Sequence, residues 1–212
     1  IFFLNRDPSE EELNDGSAFT VDHLGDRYVT DNYNLAESKV LGNPNPDFIY
    51  GWTNNFKFKG FDLSILIQGQ EGNKVFLGGG TFMTANARYE DNQTTDQLDR
   101  WQQPGDITDV PQARLYANNG AQTSSRYLSD ASYVRLKTLT FGYNFPRSIL
   151  GNSFISTARV YFSGQNLVTI TDYAGWDPEV NTDYLASNIF LGNDFYSAPQ
   201  AKTFTFGVKL GF

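Results

Sequence analysis

The sequence predicts an all-β fold: an antiparallel transmembrane β-barrel to which this chain contributes five to six strands, with long extracellular loops. Three observations carry that prediction. Apolar and polar residues alternate with a period of two over several stretches of about ten residues. Aromatic residues are abundant where no apolar run is long enough for a helical span. The connections between alternating stretches differ greatly in length.

Of 212 residues, 16% are aromatic, with 18 Phe and 12 Tyr, and only 19% are charged; the mean hydropathy is nonetheless negative. That mixture suits a wall with one apolar face, aromatic belts at the two interfaces and a polar interior. A soluble β-sandwich has a similar composition, so the pattern along the chain must decide. The unbroken apolar run Ile1-Phe2-Phe3-Leu4 is far short of the roughly 18 residues that a membrane helix needs. A membrane protein of this kind must therefore close as a barrel, because only helices and closed barrels satisfy their backbone groups in lipid.

Residues 48–58 put Phe48, Tyr50, Trp52, Phe56 and Phe58 on one face and Ile49, Gly51, Thr53, Asn55 and Lys57 on the other. Lys59-Gly60 then reads as a two-residue hairpin turn. In 61–70, Phe61, Leu63, Ile65 and Ile67 alternate with Asp62, Ser64, Gln68 and Gln70. The stretch 131–145 alternates through Leu139, Phe141, Tyr143 and Phe145, but Arg135 and Lys137 fall in the same phase, which calls for a bulge or an overhang beyond the membrane. A weaker strand covers 157–166 (Ala158, Val160, Phe162, Gly164), and Phe204, Phe206, Val208, Leu210 and Phe212 form one face of 202–212. Thr94 with Gln97 resembles a capping box before Leu98 and Trp101, opening one short helix that Pro104-Gly105 stops. No other segment has helical periodicity.

The connections are short at 59–60, very long at 71–130, medium at 146–156 and long at 167–201, and 6–47 precedes the first clear strand. Long loops are foreign to a compact soluble domain and normal on the outer side of a membrane barrel. Placing 59–60 and 146–156 in the periplasm puts 72–130 and 167–201 outside. Strands 48–58, 131–145 and 202–212 then run downward, with Ile1–Leu4 as the top of an upward strand. The lipid face comprises Phe56, Phe58, Phe61, Leu63, Ile65, Phe204, Phe206, Val208 and Leu210. Five or six strands cannot close a barrel, which takes at least eight, and Ile1 follows no signal-like stretch. The chain thus reads as a fragment over all of 1–212.

Little chemistry is on offer. There is no cysteine and one histidine, His23, so disulfides, thiolate sites and His-based metal sites are excluded, and no cofactor is expected. The net charge of −8 argues against nucleic acid. Asp172, Asp177, Glu179 and Asp183 read as a solvated acidic loop and not as a metal cluster, and Gly78-Gly79-Gly80 as a flexible loop without a phosphate-loop context. Lys57, Lys74 and Lys209 read as ordinary strand or rim charges. Tyr173, Trp176 and Tyr184 are the candidates for ligand or lid contact; their other reading is packing within the loop. Trp101 reads as a packing residue. No nucleophile–base pair is evident, so the chain is not expected to be an enzyme.

Five stretches in order resemble the SusC/RagA family of TonB-dependent transporters of Bacteroidetes-type outer membranes: GNPNPDFIYGWTNNFKFKGFDLSILIQGQEGNKVF (42–76), RWQQPGDITDVP (100–111), SDASYVRLKTLTFGYNFP (129–146), RVYFSGQNLVTITDYAGWDPEV (159–180) and QAKTFTFGVKLGF (200–212). Residues 1–41 match less well, and TDNYNLAESKV (30–40) lacks the Gly-rich acidic pattern of a calcium loop. The resemblance implies the C-terminal part of a 22-stranded outer-membrane barrel, with plug and N-terminal strands outside this chain. It implies a SusD-like surface lipoprotein and TonB as partners, and glycan or peptide cargo. Phe212 resembles the C-terminal signal by which such barrels are recognised for assembly. The competing reading is a soluble or surface β-sandwich that binds carbohydrate.

Overall fold

A computed structural model of the chain describes residues 2–4, 6–84, 90–117, 120–151, 153–179 and 191–212. It divides into two compact units, Ile1–Leu41 and Gly42–Phe212. In the first, strand β1 (Phe2–Phe3) pairs antiparallel with β2 (Val29–Thr30), and Leu4, Ala18 and Val29 are buried. The expected strand at Ile1–Leu4 thus pairs with a local partner and takes no place in the large sheet. Helix α1 (Glu10–Asn14) carries the capping box of this chain: Glu12 N donates to Ser9 Oγ, and Ser9 N donates to the Glu12 carboxylate at 2.8 Å. Periodicity could not reveal it, because α1 has no buried residue.

The second unit is built on five antiparallel strands in the order β3 (Phe48–Phe58), β4 (Phe61–Glu71), β7 (Tyr133–Asn144), β8 (Thr157–Thr171) and β9 (Thr203–Gly211). The two short strands between, β5 (Lys74–Phe76) and β6 (Leu128–Asp130), form a separate antiparallel pair. At the β3–β4 turn, Lys59 and Gly60 both have positive φ (46° and 90°), the requirement of the tight hairpin turn whose twist matches the strands. Spans of 9 to 15 residues meet the roughly ten that a tilted strand needs to cross a bilayer. Strand β8 continues to Thr171, five residues past the expected end.

Register gives the sheet two unlike faces. Phe56, Leu63, Phe141, Phe162 and Phe206 follow one another directly across all five strands. Phe58, Phe61, Ile65, Val160, Phe204, Val208 and Leu210 lie on that same face, and Phe206 is 81% exposed. Asn55, Ser64, Thr140, Ser163 and Thr205 make the corresponding row on the reverse. Among the described residues the five strands form one sheet with free edges at β3 and β9. A sandwich buries its apolar face between two sheets; here that face is exposed. No described helix is long and apolar enough to cross a membrane.

The awkward phase of Arg135 and Lys137 is resolved by a bulge. Against β4, Leu136 pairs with Ile67 and Thr138 with Leu66, so Lys137 is an extra residue on β7. Against β8 the same two residues pair with Val168 and Gln165, so there Asn166 and Leu167 stand opposite the single Lys137. One inserted residue turns a period-two strand over. Below Lys137 the odd-numbered side chains of β7 share the apolar face; above it Tyr133 and Arg135 join Gln68, Gln70, Thr169 and Thr171 on the polar one.

The short helix expected after Thr94 is a 3-10 segment, Thr95–Asp99, that ends before Trp101. Its capping box does not form: the Thr94 side chain caps nothing and Gln97 is buried. The Gly78–Gly80 stretch is not a loose loop either. Its three amides donate to Phe76, Asp194 and Leu77, and it leads into α2 (Gly80–Met83).

Candidate functional site

The loops that leave the ends of β4, β7 and β8 remote from the 59–60 turn are knit together above the sheet. Phe76 exchanges backbone hydrogen bonds with the 191–200 stretch, donating to Gly192 O and accepting from Asp194 N. Val75 and Ala131 are fully buried, with Tyr173 beside them. The Tyr173 hydroxyl donates to Asp194 Oδ2 at 2.7 Å, and burial with that carboxylate neighbour holds the phenol well above its ordinary range. Lys74 pairs with Asp130 at 2.6 Å; that contact, with the Ser132 hydroxyl and amide, lowers the Asp130 carboxyl to about 2.

The centre of this assembly is an ion cluster made possible by the β7 bulge. Arg135, 2% exposed, donates from Nη2 to Asp177 Oδ1 at 2.5 Å and from Nη1 to Glu179 Oε2 at 2.7 Å. Lys137 Nζ reaches both Glu179 oxygens at 2.6 and 2.7 Å. The Arg135 guanidinium lies 5.3 Å from the Tyr133 ring centre. Asp177 further accepts the amides of Glu179 at 2.9 Å and Gln200 at 2.8 Å. Burial pushes its carboxyl up, but Arg135 and those two amides outweigh burial and hold it below its ordinary value. Because Arg135 occupies the polar face, the loop that brings Asp177 and Glu179 to it must fold over that face.

This corrects one expectation. Asp177 and Glu179 are not solvated loop acids: they are the counter-charges of a buried arginine, 42 and 44 positions away in sequence. Asp172 is exposed, as expected, and Asp183 lies outside the described residues. The signal was present in the sequence as a strand arginine out of phase and a following acid-rich loop, but alternation alone does not pair them.

The candidate contact residues part company. Tyr173 is 7% exposed and packs the loop, with its hydroxyl occupied. Trp176 is 63% exposed. Tyr184 lies outside the described residues. Phe212 stacks on Phe154 of the 146–156 connection at 5.5 Å with the rings nearly parallel. At the same end, Arg159 on β8 reaches across to Asp62 on β4 at 2.6 Å, and Asn144 to that carboxylate at 2.9 Å. A shallow cleft of about 430 Å³ opens there, lined by Lys57, Lys59, Asp62, Asn144 and Arg159 among others. No group of three or more metal-ligating side chains is found among the described residues.

Comparison with known proteins agrees with this architecture. No family model matches the chain. It is 39% identical over 186 residues to TonB-dependent receptor P3 of Formosa agariphila, covering 84% of this chain and 17% of that protein. It is 31% identical over 202 residues to TonB-dependent receptor P26 of the same organism, covering 93% and 20%. It is 26% identical over 192 residues to TonB-dependent receptor SusC of Bacteroides thetaiotaomicron, covering 88% and 17%. The chain thus spans about a fifth or less of these relatives. Among solved structures, the RagAB peptide importer in its closed-closed state superposes with a TM-score of 0.74 over 99% of this chain and 21% of that one, at 22% identity, which speaks for the fold. Its open-open state gives 0.70 at 25% identity over 87% of this chain.

Proposed function

We propose that this chain, which belongs to the TonB-dependent receptors of the SusC/RagA type, is the C-terminal part of the barrel domain of an outer-membrane importer. The observation that carries the reading is the two-faced, open-edged sheet. Its apolar face is exposed across five strands and suits lipid; its polar face suits a water-filled lumen. The open edges of β3 and β9 require further strands, since an unpaired edge in hydrocarbon leaves backbone groups without partners. The cargo is a bulky nutrient, a glycan or a peptide. A SusD-like surface lipoprotein and TonB are the partners, TonB acting through the plug of the complete receptor. We assign contact with cargo or lid to Trp176; its exposure supports the assignment. Phe212 serves as the assembly signal, and its stacking on Phe154 fixes it at the periplasmic rim once the strand is in place. This part of the receptor carries out no chemistry; it walls the path.

The test is uptake by cells that carry the complete receptor. Import of a bulky nutrient should cease on deletion of the receptor and on loss of TonB, while the barrel still reaches the outer membrane. Uptake that persists without TonB overturns the reading.

A further inference from the structure

We propose that the rim of the wall at the 59–60 turn holds the phosphate of an anionic phospholipid between Lys57 and Lys59. This rests on reading the sheet as a barrel wall and adds a ligand at its edge. The residues themselves carry a charge contrast. The chain has a net charge of −8, yet the stretches that meet at this end, 57–62, 142–160 and 207–212, hold Lys57, Lys59, Arg147, Arg159 and Lys209 against the single acid Asp62. A basic rim on an acidic chain is a local field that the net charge hides.

The cleft of about 430 Å³ at the turn takes its lining from both faces of the wall. Phe58 and Phe61 come from the apolar face, and Lys57, Asp62 and Arg159 from the polar one. Asp62 is already taken, because Arg159 Nη2 donates to it at 2.6 Å and Asn144 Nδ2 at 2.9 Å. Lys57 and Lys59 are exposed, and neither has a carboxylate partner among the described residues. Lys59 also holds a φ of 46°, a conformation that Asn, Asp or Gly adopts more easily at this turn position. The turn thus keeps a cation where backbone geometry alone favours another residue. Its Nζ lies 5.2 Å from the centre of the Phe58 ring, so the charge sits at the border of the apolar face.

Two open cations beside an occupied acid select an anion. The apolar face that faces lipid ends at Phe58 and Phe61, both exposed, so the headgroup layer of the bilayer lies level with the cleft. Acyl chains of a lipid whose phosphate sits in the cleft continue onto those rings, whereas a free phosphate ion makes only the polar contacts. A zwitterionic headgroup brings an ammonium group, and Asp62 is closed to it by Arg159 and Asn144. Phosphatidylglycerol, negative and without an ammonium, fits both halves of the site.

The test uses the complete receptor in liposomes that carry photoactivatable phosphatidylglycerol or phosphatidylethanolamine, with the diazirine beside the glycerol. Peptide mapping should find phosphatidylglycerol crosslinked within 55–62 in clear excess over phosphatidylethanolamine. Lys57→Gln and Lys59→Asn should each lower that yield about fivefold at limiting lipid, and Lys59→Arg should retain it. Asn suits the turn, and unchanged resistance of the barrel to denaturation by detergent shows that the variants fold. Equal crosslinking by the two lipids, or a yield indifferent to both lysines, overturns the site. Loss of the crosslink in excess inorganic phosphate identifies a free-anion site and overturns the lipid. A carbodiimide crosslink from Lys57 or Lys59 to an acidic residue elsewhere in the receptor, with no lipid attached, overturns it as well. These outcomes are separable from the import reading, which fails only if uptake does not depend on TonB.

Discussion

Arg135 Nη2 donates to Asp177 Oδ1 at 2.5 Å, joining strand β7 to the loop after β8 through two side chains almost wholly withdrawn from solvent. An isolated buried guanidinium is untenable, and here Asp177 and Glu179 together with the Tyr133 ring compensate it. The loops above the wall are therefore organised by charge as well as by their small apolar core of Val75, Ala131 and Tyr173.

Removal of one partner should cost more than the pair itself contributes, because it strands the other charge. Arg135→Ala in the complete receptor is expected to destabilise the loop assembly by about 3–5 kcal/mol. Limited proteolysis should then cut within 172–200 at protease levels that leave the parent intact, while the barrel keeps its resistance to denaturation by detergent. Equal protease sensitivity in the two proteins would contradict the latch.

The same carboxylate sets a pH dependence. The folded pKa of Asp177 is lowered, so its stabilising contribution is complete above the unfolded value of about 4 and is lost as pH falls through the lower folded value. Asp130, lowered to about 2 by Lys74 and Ser132, follows in the same direction. The protection of the 172–179 amides against hydrogen exchange, taken relative to their intrinsic rates at each pH, should fall below about pH 4 and stay level between pH 5 and 8. A loosening on the alkaline side of neutrality would point to another group.

Strand orientation is tested by neighbours of opposite face. Leu63→Arg puts a cation on the apolar face and should cost about 2–4 kcal/mol of barrel stability near the bilayer centre. Ser64→Arg, on the polar face beside Asn55 and Thr140, should cost far less. Folding into liposomes measures both, and equal penalties would reverse or abolish the assignment.

Topology is tested by labelling intact cells with an impermeant thiol reagent. A cysteine at Ile107, 82% exposed in the long loop, should react, and one at Lys59 in the tight turn should not. The opposite result would turn the barrel upside down.

The 212-residue chain by itself is expected not to behave as a soluble monomer. Its apolar sheet face and both edges lack the lipid and strands that would cover them. A sharp melting transition for soluble monomeric protein in the absence of detergent would refute the barrel reading and restore the sandwich.

Strand positions, the Lys59-Gly60 turn and the two faces were legible in the residues, because alternation and turn chemistry are local and each face has one kind of solvent. Phe56, Leu63 and Phe206 could thus be placed on the apolar face before any pairing was known. The register and the strand neighbours were not local; the phase of Arg135 and Lys137 called for a bulge or an overhang, and only the pairing decided for a bulge at Lys137 that moves Arg135 to the polar face. The acid loop could not declare itself a counter-ion from sequence, since Asp177 meets Arg135 only after β7 and β8 pair. Tyr173 and Trp176, three positions apart and similar in kind, were equivalent in the sequence; tertiary packing buried the first against Val75 and Ala131 and left the second in solvent. What the sequence determined was the pattern of each strand, set by a two-residue period. What only the tertiary structure decided was which charges meet and which aromatics remain open, because burial belongs to the assembled sheet and loops.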